Sequence, residues 1–291
     1  MSSKEVLVFG VTGNVGGAAA RELLRRGWQV RGVTRSPQSE RAQAAAALGL
    51  ELVPGDMDDP ASLAAAFAGI DRVFSVQNWM TTGVEGEIRQ GKAVAAAAHA
   101  AGVKHVVYGS AGTGDADTGI PHFDNKLVVE AYMRELGLPF TVVRPTPFME
   151  LMTQKDFFPP LSTWGTMPRV IGWDTPVPWV SVEDIGITIA NIFENPEKWI
   201  GREVNNLAGD VQSLQSCRAI IREVTGKSPF GVPFPALLFR KMVGDEMVEM
   251  WRWFVTWVDK NGLDELNATV EHSREVHPEI RSVESWLRAA H

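Results

Sequence analysis

The first half of the chain alternates short apolar runs with longer stretches in which small and apolar residues recur at helical spacing. The apolar runs are rich in β-branched residues and predict strands at about 5–9, 29–33, 50–53, 72–76, 105–108 and 140–143. The stretches between them predict helices at about 15–26, 38–48, 61–67, 84–101 and 122–136. Parallel strands need crossover connections, which are usually helical. The pattern therefore predicts an α/β fold with a parallel sheet covered by helices on both faces.

The second half differs from the first in composition. Prolines interrupt it repeatedly after residue 144, and eight of the ten tryptophans lie beyond residue 150. Its pattern predicts helices at about 182–193, 214–225, 237–260 and 283–290, and one strand near 203–207. We expect residues 1–150 to form the core domain, with elements near 178–210 returning to it. Residues 151–291 are expected to form a smaller mixed lobe.

The charge balance narrows the classes of partner. The chain carries 28 Lys and Arg residues against 35 Asp and Glu residues, a net charge of −7, and shows no basic cluster. Nucleic-acid binding needs local positive charge to neutralise phosphates, so we predict no direct nucleic-acid partner. An anionic membrane surface is disfavoured for the same reason. No stretch approaches the roughly 20 apolar residues that a bilayer requires, and the start lacks a signal-type apolar region, so we expect a soluble, cytoplasmic protein.

Cysteine and histidine usage argues against a metal centre. Cys217 is the single cysteine, which excludes an internal disulfide and metal sites built on several thiolates. The histidines show no metal-ligand spacing, so we predict no metal site.

The first predicted strand leads through a glycine-rich turn into a helix. Glycines at positions 10, 13 and 16 allow a tight turn, close approach of the backbone to a diphosphate and close packing of helix on strand. The free N–H groups at the helix start would face that anion. The spacing departs from the commoner G-x-G-x-x-G form, and a merely structural turn is the alternative. The predicted cofactor contacts in this turn are Gly10, Thr12, Gly13, Asn14, Val15 and Gly16.

The end of the second strand bears on which dinucleotide is bound. An acidic residue there would hold the adenosine ribose 2′-hydroxyl of NAD, but the chain instead has Arg31 and Arg35. A guanidinium can pair with a 2′-phosphate, so we predict NADP(H) as the preferred cofactor, with Arg35 ahead of Arg31 and NAD(H) as the alternative. Both arginines could instead be ordinary solvated charges.

The ends of the later strands supply further candidates. After the third strand, Asp56 can accept from the adenine amine and Met57 lies beside it, although capping of a helix by Asp58 or Asp59 competes with this interpretation. After the fourth strand, Gln77 is assigned to the cofactor. Three residues at strand ends suit a flat apolar substrate, and for the two aromatic residues among them packing in a core is the alternative. They are Trp79, Phe148 and Met149.

Several segments carry a resemblance that no single motif carries alone. They are the glycine turn, Thr34-Arg35, Gly55-Asp56, Tyr108-Gly109-Ser110, His122-Phe123-Asp124-Asn125-Lys126, and Arg144-Pro145-Thr146-Pro147-Phe148-Met149-Glu150. Together they resemble the NmrA-like family of the atypical short-chain dehydrogenase/reductase group, over nearly the whole chain. The resemblance implies a Rossmann-type doubly wound parallel sheet that binds NADP(H) or NAD(H). It also implies either a reductase of quinones and other conjugated compounds or a sensor of cofactor redox state without turnover.

The catalytic residues of the wider group are Ser, Tyr and Lys, with Tyr four residues before Lys, and this sequence departs from that pattern. Neither Tyr108 nor Tyr132 precedes a lysine by four residues, whereas His122 precedes Lys126 at that spacing. The i, i+4 spacing places both on one helix face, downstream of Ser110. One reading makes Ser110, His122 and Lys126 catalytic, with His122 as general acid. In the alternative interpretation, Lys126 only binds the ribose, and His122 is part of a pocket wall or a surface residue.

These observations favour an oxidoreductase that prefers NADP(H) and transfers hydride to a small conjugated carbonyl or quinone-like acceptor. The alternative is a non-catalytic sensor of NAD(P)(H) redox state that acts through a protein partner. Either protein could be a monomer or a homodimer. The missing tyrosine favours the sensor, and the aromatic residues at the strand ends favour a substrate pocket.

Overall fold

The computed structural model describes residues 4–115, 117–154, 162–229, 231, 235–243 and 245–291. The chain divides into two compact units. The first comprises Met1–Ala116, Pro121–Arg144 and Ile185–Asn205. The second comprises Asp117–Ile120, Pro145–Asp184 and Asn206–His291.

The strands fall into two sheets. They are β1 (Glu5–Val8), β2 (Gln29–Thr34), β3 (Glu51–Pro54), β4 (Arg72–Val76), β5 (His105–Gly109), β6 (Phe140–Pro145), β7 (Pro176–Trp179), β8 (Glu203–Leu207) and β9 (Asp210–Ser213). The larger sheet has seven strands in the order β3-β2-β1-β4-β5-β6-β8. The pairings between neighbouring strands from β3 to β6 are parallel. The order reverses between β1 and β4, as in doubly wound Rossmann-type sheets, so the predicted fold class is confirmed.

Helices connect and cover these strands. They are α1 (Asn14–Arg25), α2 (Glu40–Ala46), α3 (Pro60–Ala66), α4 (Trp79–Ala100), α5 (Pro121–Glu135), α6 (Met167–Ile171), α7 (Val182–Glu194), α8 (Pro196–Trp199), α9 (Leu214–Thr225), α10 (Ala236–Val243), α11 (Glu246–Val276) and α12 (Val283–Ala290). Short polar side chains begin several of them by accepting a backbone N–H, which satisfies a group that has no partner inside the helix. Such caps are Ser39 on α2, Asp59 on α3, Asn78 on α4, Ser213 on α9 and Ser282 on α12.

The core of the first unit lies between the sheet and α3, α4 and α5. Apolar residues of β1, β4 and β5 pack there against Val94 and Ala98 of α4 and Val129 of α5. A side chain at Gly91 would meet Val129 within 2.7 Å, so the absence of a Cβ lets α4 and α5 approach closely. The alanine-rich runs thus form helices, because small residues permit this packing.

The second unit holds an antiparallel pair and most of the tryptophans. β7 pairs with β9 in a register that places Pro178 opposite Val211. The sequence did not predict these strands, because the prolines of β7 usually exclude a central strand and β9 is only four residues long. Trp164, Trp179 and Trp251 lie in the core of this unit. The single helix predicted at 237–260 is instead two helices, α10 and α11, and α11 continues to Val276 with a non-helical Gly262 at φ 81°.

The described residues contain neither a membrane-spanning helix nor a metal-binding cluster. None of the helices there combines the length and hydropathy needed to cross a bilayer. No group of three or more His, Cys, Asp or Glu side chains in those ranges is arranged to hold a metal ion.

Candidate functional site

The turn between β1 and α1 depends on glycine at two positions. Gly10 has φ +67°, in the left-handed region, and its carbonyl accepts the N–H of Gly13 at 2.9 Å. A Cβ at Gly16 would lie 2.4 Å from the Gly10 oxygen and 2.6 Å from the Phe9 oxygen. Backbone atoms cannot yield to such a contact without moving the turn. The first turn of α1 therefore packs directly on the loop, as the glycine spacing predicted.

The start of α1 is not capped by a side chain. Its N-cap is Gly13, which has no side chain, and the first turn holds no acidic residue. Thr12, Gly13 and Asn14 are exposed. The N–H groups at this end therefore carry the positive end of the helix dipole with no side-chain cap and no acidic residue in the first turn of the helix. This arrangement fits the diphosphate of a dinucleotide, and Val15 and Gly16 follow as the next amides of the same turn.

The two arginines of the second strand region have different surroundings. Arg31 forms an ion pair with Glu5 at 2.7 Å and donates to the carbonyl of Ala68 at 2.9 Å. Arg35 is exposed and forms no hydrogen bond or ion pair within the described part of the chain. Its guanidinium is therefore the one available to an external anion.

The acidic cluster after β3 divides into separate roles. Asp59 caps α3 by accepting the N–H of Ala61 at 3.0 Å. Asp58 instead binds Arg89 at 2.8 Å, and this hydrogen bond holds the pKa of Asp58 below its usual value. Asp56 is half-buried and accepts the N–H of Asp58 through Oδ1 at 3.0 Å. The capping interpretation thus applies to Asp59, and Asp56 keeps its second carboxylate oxygen at the end of β3.

Lys126 lies in a buried ionic cluster. Its ammonium nitrogen is 2.6 Å from Oε1 of Glu87 and 3.2 Å from the carbonyl oxygen of Gln77. Asn125 donates its side-chain amide to Oε2 of the same Glu87. Lys126 and Glu87 are 4% and 1% exposed, so water screens their attraction little. The amide of Gln77 also reaches Sδ of Met57 at 3.7 Å, which joins two of the predicted cofactor contacts.

Burial and charge act in opposite directions on Lys126. Burial lowers the pKa of the Lys126 ammonium, and the Glu87 carboxylate opposes this by favouring the charged form. The ring of Tyr108 lies 5.7 Å from the ammonium nitrogen, within the range of a cation–π contact. Burial raises the pKa of the Tyr108 hydroxyl well above its usual value, and that hydroxyl has no hydrogen-bond partner among the described residues. Tyr108 therefore packs in the core and does not act as an exposed acid.

Ser110 and His122, the other two candidates for catalysis, have distinct partners. The hydroxyl of Ser110 donates to Glu130 at 2.7 Å, and Glu130 also binds Arg144 at 2.6 Å. His122 is buried and stacks on Trp79, with ring centroids 4.9 Å apart and planes 14° apart. The hydrogen bond of Ser110 to Glu130 places its hydroxyl in a different network from the Glu87 pair of Lys126.

The three substrate candidates differ in exposure. Trp79 is half-buried at the start of α4, where it covers His122. Phe148 in the second unit is half-buried and forms an isolated bridge with Val180. Met149 has no exposed surface and belongs to the core of that unit. The Met149 side chain therefore packs in the core of the second unit and presents no surface to a substrate in this structure.

Comparison with known proteins identifies the family. The family model described as the NmrA-like family matches residues 2–287. The chain belongs to the NmrA-like family. Among its relatives, the NmrA-like family domain-containing oxidoreductase malD of Malbranchea aurantiaca is 33% identical over 246 residues, which cover 76% of this chain and 73% of malD.

Solved structures share the NmrA-like fold at lower identity. NmrA, a negative transcriptional regulator, in complex with NADP has a TM-score of 0.75 and 22% identity, with 99% of this chain and 95% of that chain covered. The Citrobacter sp. triphenylmethane reductase complexed with NADP(H) has a TM-score of 0.73 and 21% identity, with 99% and 100% covered. Identities this low show the common fold alone, and they agree with the Rossmann-type core expected from the sequence.

Sequence reasoning missed the carboxylates that organise this NmrA-like core. Glu87 binds Lys126, and Glu130 binds Ser110 and Arg144, yet neither glutamate was singled out. A signal existed for Glu87. It shares a helical face with Gly91, four residues later, and both are buried in α4. A lone carboxylate on the buried face of a helix needs a cationic partner.

Proposed function

We propose that this NmrA-like protein binds a pyridine dinucleotide and transfers hydride to a small conjugated carbonyl or quinone-like acceptor. The observation that carries the proposal is the start of α1, where Gly13 leaves the first amides without a capping side chain. An anion with two phosphates suits those amides and the helix dipole together.

The proposal assigns each part of the dinucleotide to residues of the first unit. Arg35 would pair with a 2′-phosphate, which is the reason for the preference for NADP(H) over NAD(H). Asp56 and Met57 would border the adenine, and Gln77 and Lys126 would border the nicotinamide end. When bound, the reduced nicotinamide supplies the hydride.

Relatives and structural neighbours support this proposal. The malD relative is an oxidoreductase, and the two structural neighbours were solved with NADP or NADP(H). Their cofactors belong to those proteins, and their similarity makes the same class of cofactor the first to test here.

The aromatic pair of Trp79 and His122 supports a flat acceptor. The parallel stack fixes the imidazole plane, and the half-buried indole offers a further flat apolar surface. A positioned imidazole can donate a proton near neutral pH, so His122 can protonate the reduced acceptor. A strongly electron-deficient quinone needs little such assistance.

Turnover tests the proposal directly. Purified protein should oxidise NADPH in the presence of at least one compound from a panel of quinones and enones. Lys126→Ala should abolish that oxidation, because the buried ammonium would no longer hold the ribose. Lys92→Ala is the matched control, since Lys92 lies on α4 over the ring of Tyr132 and outside this cluster. A panel without any oxidation would contradict the enzymatic function.

A regulatory role is the second candidate, and one observation favours it. The hydroxyl of Ser110 is bound by Glu130, and no tyrosine occupies the position four residues before Lys126. A sensor without turnover needs neither group. Such a protein should bind NADP⁺ and NADPH with different affinities and should change its oligomeric state or partner binding between them. Equal effects of the two forms would remove this candidate.

A further inference from the structure

The ammonium of Lys126 has at least one N–H that its protein partners do not use. A protonated lysine carries three donors. The Gln77 carbonyl accepts one of them at 3.2 Å, and Oε1 of Glu87 lies 2.6 Å away as an ion-pair partner, so these two groups engage at most two donors. The centroid of the Tyr108 ring lies 5.7 Å from the ammonium nitrogen, which is too far for a conventional hydrogen bond. Among the described residues, at least one donor of Lys126 therefore has no hydrogen-bond acceptor.

Glu87 is itself held in place. Its carboxylate is 1% exposed, and Asn125 donates to Oε2 while Oε1 faces Lys126. A buried carboxylate without a cation is costly, so Glu87 and Lys126 depend on each other. Because Asn125 neighbours Lys126 on α5 and Glu87 lies on α4, the pair also ties the two helices together.

We propose that Glu87 is a positioning residue, which keeps the Lys126 ammonium charged and leaves its third N–H for a ribose hydroxyl of the bound dinucleotide. This inference rests on the proposed function, because it needs a dinucleotide at the end of β4. It goes further by assigning a role to a residue that does not touch the cofactor.

The charges around Lys126 predict what happens when Glu87 is neutralised. Burial disfavours the ammonium, whereas Glu87 and, more weakly, Glu130 favour it. Tyr108 is the other titratable group against the ammonium, and burial keeps its hydroxyl neutral. Without Glu87, burial is opposed mainly by Glu130. Lys126 should then lose its proton at a lower pH than in the wild type.

The experiment measures the Kd of NADPH between pH 6.5 and 9.5 for the wild type, Glu87→Gln, Glu87→Asp and Glu85→Gln. Glu85 is exposed on the same helix, so its substitution controls for the loss of one negative charge. Relative to the wild type, Glu87→Gln should lose about a further tenfold in affinity as the pH rises, the size of one charge-assisted hydrogen bond. Glu87→Asp keeps the charge and should follow the wild-type profile, as should Glu85→Gln.

The outcomes separate this inference from the proposed function. If Glu87→Gln binds NADPH as tightly as the wild type and with the same dependence on pH, the positioning role is overturned. A uniform loss of affinity at every pH, with a lower Tm, would also overturn it, because that is what a structural role alone produces. If Glu87→Gln fails to fold, Glu87→Asp decides the question. An NADPH affinity that falls with pH more steeply than in the wild type would contradict the proposal, and a profile that follows the wild type would support it. A wild type that binds no nucleotide would remove the proposed function, and this inference with it.

Discussion

The starts of α1 and α7 differ in what lies next to their first backbone N–H groups. At α7, the Glu150 carboxylate accepts the N–H of Val182 at 3.0 Å, and Ser181 accepts the N–H of Asp184 at 3.0 Å. At α1, Gly13 supplies no acceptor and no acidic residue follows in the first turn. The same electrostatic need is thus met by the chain at one helix and left open at the other.

The surroundings of α7 show what a purely structural polar cluster looks like. The two oxygens of Asp184 are bound by Ser181 at 2.6 Å, His277 at 3.0 Å and Arg281 at 3.1 Å. Such saturation fixes the end of the chain to the helix start and leaves nothing for a ligand. By contrast, the α1 amides and Lys126 are the groups to which we assign the proposed dinucleotide.

Removal of the Asp184 carboxylate at α7 should strongly lower the free energy of unfolding. Asp184→Ala should lower the free energy of unfolding by about 3–5 kcal/mol, because His277 and Arg281 lose their shared carboxylate. Chemical denaturation measures this, and NADPH affinity of the folded variant should be unchanged. Glu183→Gln is the control, since Glu183 binds the same Arg281 at 2.9 Å but is largely exposed. A loss no larger than that of the control would contradict the structural role of Asp184.

A substitution at Gly13 can give α1 the kind of N-terminal cap that α7 already has. Gly13 has φ −98° and ψ 180°, which any residue adopts, so Gly13→Asp should fold and place a carboxylate on the first amides. We expect NADPH affinity to fall by about 10- to 100-fold, as the carboxylate competes with the diphosphate.

Gly13→Ala is the matched control for this variant. It adds the same Cβ, which would lie 3.2 Å from the Gly10 oxygen, without an acceptor. Calorimetric titration of both variants separates crowding from charge. Equal loss in the two would mean that the amides of α1 do not hold an anion.

Glu150 gives α7 a dependence on pH. Burial raises the pKa of Glu150 to about 7, above its usual value of 4.5. Its protonated form therefore stabilises the fold below pH 4.5, and this contribution is lost as the pH rises through about 7. Glu150→Gln retains an acceptor for Val182. Between pH 5 and 8 the wild type should lose about 1–3 kcal/mol more stability than the variant, as measured by denaturation. Parallel curves would contradict this.

Removal of the Arg35 guanidinium should change the preference between NADPH and NADH. Arg35→Ala should weaken NADPH binding by about tenfold and leave NADH binding nearly unchanged, because only NADPH carries the 2′-phosphate. Arg31→Ala is the control, since Arg31 is bound to Glu5 and should affect both nucleotides equally. Equal losses for the two nucleotides in Arg35→Ala would show that the end of β2 does not select NADP(H).

Local pattern predicted most of the first unit. The alternation of apolar runs and helical stretches predicted the succession of strands and helices along the chain. The glycine spacing predicted the turn at Gly10, because glycine adopts the positive φ found there at the least cost. The second unit was harder to predict. β7 contains Pro176 and Pro178, and its pairing with β9 depends on a partner distant in sequence.

The partners of the candidate site residues were also beyond local pattern. Lys126 was found by its spacing from His122, yet its ion pair with Glu87 and the contact of Ser110 with Glu130 join separate elements. Sequence spacing reports neighbours on one helix, whereas such pairs are set by how α4, α5 and β5 pack.

The central claim is that the open start of α1 holds the diphosphate of a pyridine dinucleotide. Isothermal titration calorimetry of the purified chain with NADP⁺, NADPH, NAD⁺ and NADH measures this without requiring turnover. We expect saturable binding, tighter for the phosphorylated pair, and weaker binding of every nucleotide in Gly13→Asp. Absence of binding for all four nucleotides would contradict the account.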